Sequence, residues 1–135
     1  MTDRGFEEIP HTADWAMRVW ASDLPSLFAE AARGMNTLMG ARPAPGLRVK
    51  RTLEIEGPDQ ESLLVAFLSE LLYIQEQEHL VFDKFGIQVS EKGISADLEG
   101  ASLESLNKVV KAVTYHNLKI QKTTRGFEIE IVFDV

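Results

Sequence analysis

No cysteine occurs among the 135 residues, which removes disulfides, thiolate metal sites and cysteine nucleophiles together. Any metal bound here must use oxygen or imidazole ligands. No apolar run approaches the roughly 20 residues that a membrane-spanning helix requires. The opening Met1-Thr2-Asp3-Arg4-Gly5 also lacks the basic and then apolar layout of a secretion signal. A soluble, cytoplasmic protein is expected. Positive charge is scarce as well: 14 Lys and Arg against 21 Asp and Glu leave a formal charge of −7. Nucleic-acid affinity arises largely from Lys and Arg releasing condensed counterions, so strong direct RNA binding is not expected. An acidic surface suits a cation, or a basic partner protein that itself handles nucleic acid. The sequence shows no nucleophile motif, phosphate loop, internal repeat or low-complexity segment.

What is present suits one globular domain spanning 1–135, since 44% of the residues are hydrophobic and 26% charged. Trp15, Met17 and Val19 alternate with Asp14, Ala16 and Arg18, which predicts a strand over 14–20. Ser22 and Asp23 offer an N-cap and Pro25 fits a first helical turn. Leu24, Leu27, Phe28, Ala31, Ala32, Met35, Leu38 and Met39 then repeat at helical spacing up to Gly40. Two prolines and a glycine make 41–46 a connecting loop.

Val49, Arg51, Leu53 and Ile55 predict a second strand, and Asp59 with Glu61 opens a second helix striped by Leu63, Leu64, Phe67, Leu68, Leu71 and Leu72. Hairpins follow. One joins Phe85, Ile87 and Val89 through Lys92-Gly93 to Ile94, Ala96 and Leu98. The other joins Leu118 and Ile120 through Thr124-Arg125-Gly126 to a closing strand that runs to Val135. Residues 101–110 fit a short helix or a strand. The predicted class is α+β, with two helices packed on one face of a largely antiparallel β-sheet.

Three polar features stand out. His11, Thr12 and Asp14 lie where a loop meets the first strand, a common place for function. Taken alone, His11-x-x-Asp14 fits a turn cap better than a ligand pair. On the closing strand, Asp134 is next to the α-carboxylate of Val135. Two carboxyl groups on an ordered chain end supply the hard anionic oxygens that Ca²⁺ prefers, whereas a frayed tail would leave them as solvated charges. Lys111 to His116 is a β-like run. Alternation there puts Lys111, Val113 and Tyr115 on one face, with Tyr115 expected in the core or an interface and His116 an ordinary surface histidine.

Together these segments resemble the archease family. The likeness rests on His11-Thr12-Ala13-Asp14 opening a strand that leads into a helix, and on Leu63-Leu64-x-x-Phe67-Leu68-x-Glu70-Leu71-Leu72. It rests equally on Lys111-Ala112-Val113-Thr114-Tyr115-His116 and on the close Phe133-Asp134-Val135. The resemblance covers nearly the whole chain. It implies that Asp14, Asp134 and Val135 bind a divalent ion, Ca²⁺ foremost, with Mg²⁺ or Mn²⁺ as alternatives. It further implies that Lys111, His11 and His116 lie near that site and serve the partner. The function implied is that of a cofactor protein, not itself an enzyme, for an RtcB-type RNA-splicing ligase, promoting its guanylylation and multiple turnover in tRNA splicing or RNA repair. The chain is short between Leu98 and Lys111, where other archeases can carry a longer insertion.

Two other classes stay open. Paired carboxylates and two histidines also suit a metal-dependent hydrolase, and a sheet edge suits a chaperone-like protein-binding module. If the metal expectation holds, Asp14 and Asp134 lie on adjacent strands.

Overall fold

In the computed structural model, which describes residues 4–9 and 15–135, eleven elements follow one another. They are β1 (Gly5–Ile9), β2 (Trp15–Ala21), α1 (Leu24–Met39), β3 (Arg42–Pro43), β4 (Val49–Glu56), α2 (Gln60–Glu78), β5 (Leu80–Val89), β6 (Gly93–Ser105), β7 (Ala112–Val113), β8 (Gln121–Thr123) and β9 (Gly126–Asp134). The class is the expected α+β, and every pairing among the described strands is antiparallel. The strands divide into two sheets. In the first, β2 lies between β1 and β9, and β7 and β8 share the far side of β9. In the second, β6 carries β4 and β5, with β3 paired to its last residues.

Both helices start and stop as their caps dictate. Asp23 accepts the Ser26 N–H and Asp59 accepts the Ser62 N–H, each at 2.8 Å, so a first-turn amide that lacks a helical partner is satisfied. Gly40 ends α1 in the left-handed region (φ 67°), where a side chain would be strained, and Ala41 N–H closes back on the Asn36 carbonyl at 2.9 Å. The apolar stripes enter one core. Leu27, Phe28, Ala31, Ala32 and Met35 meet Leu63, Leu64, Phe67 and Leu68, together with Met17, Val19, Ile129, Ile131 and Phe133 from the first sheet. α1 packs against β1 and β2 of the first sheet and β5 of the second, which ties the two sheets together. The rings of Phe28, Phe67 and Phe85 form its aromatic line, with centroids 6.2 and 6.4 Å apart.

Several segments depart from the sequence expectation. β1 was not anticipated, because Phe6-Glu7-Glu8-Ile9 has no period-2 pattern; its register with β2, from Gly5 opposite Trp20 to Ile9 opposite Ala16, makes it a strand. The ambiguous stretch resolves into β6 as far as Ser105, followed by a loop. The linker at 41–46 contributes β3, where a register shift between Arg42 and Pro43 accommodates the missing proline N–H and Ala44 N–H reaches the Ser102 carbonyl at 2.7 Å. Leu118 and Ile120 pack on the core from a loop, not a strand, and Ile120 N–H donates to the Glu61 carboxylate at 2.9 Å. That carboxylate takes the place of a cross-strand carbonyl.

Candidate functional site

The last residues of β9 are held from both sides. Phe133 lies opposite Trp15 of β2 and opposite Val113 of β7, and its ring is fully buried. Beyond it, Lys111 N–H donates to the Asp134 carbonyl at 2.8 Å and Thr114 N–H donates to the Val132 carbonyl at 3.0 Å. Val135 is half-buried against the core. The last residues of β9 are therefore pinned and not frayed.

The arrangement brings Lys111, Asp134 and Val135 to one edge. The side chains of Lys111 and Asp134 are both exposed, and neither forms a salt bridge with a described residue. His116 follows in an exposed turn, where its N–H donates to Thr114 Oγ1 at 3.2 Å and its Nε2 lies 3.4 Å from the Asn117 amide. His11 and Asp14 lie outside the described residues. Trp15, next in sequence after Asp14, is opposite Phe133, which immediately precedes Asp134.

The expected shared face of Lys111, Val113 and Tyr115 does not form. Val113 is buried, yet Tyr115 is 62% exposed, because the strand ends at Val113 and the chain turns, with Leu118 N–H bonding the Tyr115 carbonyl at 3.1 Å. Along β9, Ile129, Ile131 and Phe133 are buried while Glu130 and Asp134 between and beyond them are exposed, and Val132 is buried on the otherwise polar face.

The exposed carboxylate of Asp134 is a hard oxygen donor of the kind Ca²⁺ takes in sets of about six to eight, and Val135, expected to add a second carboxylate, follows it. They suit a divalent cation in chemistry and fall short of a full set. Among the described residues no three acidic or histidine side chains gather as a metal cluster, and Asp14, expected to join the set, lies outside them.

A second cation near this edge was missed in the sequence. Lys108 places its ammonium 4.4 Å from the centroid of the Trp15 ring, and the loop carrying it is tied to the end of α1 by the Asn107 and Lys108 N–H groups, both bonding the Met39 carbonyl. A ring and a cation 93 positions apart leave no sequence signature. An open groove of about 660 Å³, with Lys111 in its wall, runs between the end of α2 and the 106–112 segment, lined by Leu72, Tyr73, Leu103, Leu106 and Val109 among others. Val109 and Tyr73 are 60% and 59% exposed.

Residues 6–135 match the model of the Archease protein family (MTH1598/TM1083). The chain is 34% identical over 140 residues to protein archease of Methanosarcina barkeri, covering 96% of this chain and 95% of that protein. It is 33% identical to protein archease of Pyrococcus furiosus, covering 91% and 92%. Among solved structures, protein 1598 of Methanobacterium thermoautotrophicum superposes with a TM-score of 0.71 at 27% identity, covering 97% of this chain and 99% of that one. A Thermotoga maritima protein described as an archease and possible chaperone shares the fold, with a TM-score of 0.68 at 17% identity and 96% of each chain covered.

Proposed function

The chain belongs to the archease family, and from that premise we propose that it serves, in the cytoplasm and without a reaction of its own, as an accessory protein of an RtcB-type RNA-splicing ligase. In this reading it promotes guanylylation of the ligase and its turnover in tRNA splicing or RNA repair. The observation that carries it is the pinned edge where Asp134 and Val135 stand beside Lys111. Asp134 and Val135, joined by Asp14, would hold a divalent cation, Ca²⁺ first among candidates, which when bound supplies concentrated positive charge for anionic phosphate oxygens.

The chain's own groups have separate tasks. The β7–β9 pairing fixes the backbone at Asp134, from which its exposed carboxylate projects. Lys111, anchored through its N–H to the same residue, offers its ammonium to an anionic group of the ligase or its nucleotide. Lys108 adds a second cation from the Trp15 face. His116, in the exposed turn, offers a ring nitrogen to the partner. A net charge of −7 favours a basic ligase surface over RNA itself.

The test is ligation of a cleaved RNA by a purified RtcB-type enzyme with and without this protein. Faster guanylylation and more turnovers per ligase are expected, with little RNA binding by the protein alone at physiological salt. Absence of stimulation overturns the proposal, and release of product without ligase would support the hydrolase alternative. The apolar groove beside Lys111 favours a second, chaperone-like reading. It predicts that Val109→Asp abolishes the effect on the ligase while Asp134→Asn does not.

A further inference from the structure

β4 leaves one side of the second sheet open. It pairs with β6 on its inner side, and among the described residues no backbone hydrogen bond crosses its outer side. Natural edge strands are commonly kept short, bulged, broken by proline or charged to prevent pairing with another chain. β4 does carry charges, but of both signs, and it is neither short, bulged nor broken by proline: eight residues keep an unbroken register with β6 from Val49 to Glu56. The opposite edge is treated differently. β5 shifts register between Phe82 and Lys84, and the Asn36 amide donates to the Phe82 carbonyl at 2.9 Å.

The charge order along β4 is self-complementary. Lys50 and Arg51 lie in its first half, Glu54 and Glu56 in its second. We propose that β4 is a self-association edge, through which two copies of this chain pair antiparallel about Thr52 and join their second sheets into one. In that register Lys50 of each copy faces Glu54 of the other, Val49 faces Ile55, and the two Thr52 side chains meet on the axis. Facing residues share a side of the sheet because their numbers differ by an even count, so exposed residues meet exposed ones and half-buried residues meet half-buried ones.

Three alternative pairings are poorer. Parallel pairing sets Lys50 against Lys50, a one-residue slip turns apolar side chains to the polar face, and an axis at Arg51 sets the two Arg51 side chains together. Lys50 and Glu54 also have no salt bridge with a described residue, whereas Arg48 binds Asp83 and Glu99, and Arg51 binds Glu78. The same register brings Leu47, 89% exposed in the single chain, to Gly57 of the second copy. Two such edges cover little surface, so the association belongs with the weak, concentration-dependent class.

Sedimentation velocity over a concentration series tests this with Lys50→Glu, Glu54→Lys and their equimolar mixture. The wild type should self-associate, and each variant alone should do so roughly tenfold or more weakly, because both cross-strand attractions become repulsions. The mixture should recover association, since every substituted side chain then meets an opposite charge; recovery also shows that both variants are folded. Thr52→Cys should form an intermolecular disulfide under mild oxidation in this otherwise cysteine-free chain, and Leu53→Cys should not. A wild type that stays monomeric at high concentration, variants that associate like the wild type, or a mixture that stays monomeric would each overturn the proposal.

Discussion

Removing Asp134 and Val135 is the obvious test of the chain end, and the structure shows why it confounds two effects. The deletion takes away the carboxylate charge, but it also removes the carbonyl that accepts the Lys111 N–H and the half-buried contact of Val135 with the core. The hydrogen bond contributes about 1 kcal/mol, and half-burial of a valine about another 1 kcal/mol. The new carboxylate would moreover sit on Phe133, whose ring is fully buried. The truncated chain should therefore lose about 2 kcal/mol or more, roughly a thirtyfold shift in the folding equilibrium. Asp134→Asn avoids this. It keeps the backbone acceptor, the side-chain shape and Val135, and an exposed side chain without a salt bridge to a described residue should change stability by no more than about 0.5 kcal/mol. Urea denaturation should thus find Asp134→Asn close to wild type and the truncation clearly weaker, while stimulation of ligation and calorimetric Ca²⁺ binding should collapse in both. If Asp134→Asn stimulates the ligase fully and only the truncation fails, the carboxylate carries nothing and the chain end is structural.

Three further predictions follow from the packing and electrostatics. Alanine at Gly100 would place its Cβ 1.9 Å from the Val81 carbonyl oxygen and 2.7 Å from the Phe82 Cα, both backbone atoms that cannot rotate away; a loss at the upper end of about 1–3 kcal/mol is expected in urea denaturation. Phe67→Ala empties the middle of the three-ring line and should cost about 3–5 kcal/mol by the same measurement, whereas a loss under 1 kcal/mol would mean the ring contributes little. The Arg51 guanidinium, hydrogen-bonded to Glu78, holds that carboxyl below its ordinary value of 4.5. A carboxyl depressed on folding stabilises the native state above its unfolded pKa and loses that effect as pH falls through the folded one. The stability gap between wild type and Arg51→Met should therefore be largest near neutrality and close below about pH 4.5; a gap unchanged down to pH 3 would refute the assignment.

Much of the secondary structure was legible because its causes are local. Asp23 and Asp59 cap helices within three residues of themselves, Gly40 stops one, and the alternation in β4 and along most of β9 needs only neighbouring residues to declare itself. Family membership was legible for a related reason, since four short segments in order suffice. What tertiary structure decided depends on partners far away in sequence. Gly5–Ile9 became a strand only by lying against β2, and Ile120 stayed out of one because Glu61 satisfied its N–H. The chemistry of Lys111, Asp134 and Val135 could be named from the sequence, but their meeting at one edge depends on the register of β7 with β9, and Lys108 joins them only through the ring of Trp15. Local pattern specifies which residues form a strand or helix; which strands become neighbours, and hence which side chains share a site, is set by the burial of one common core.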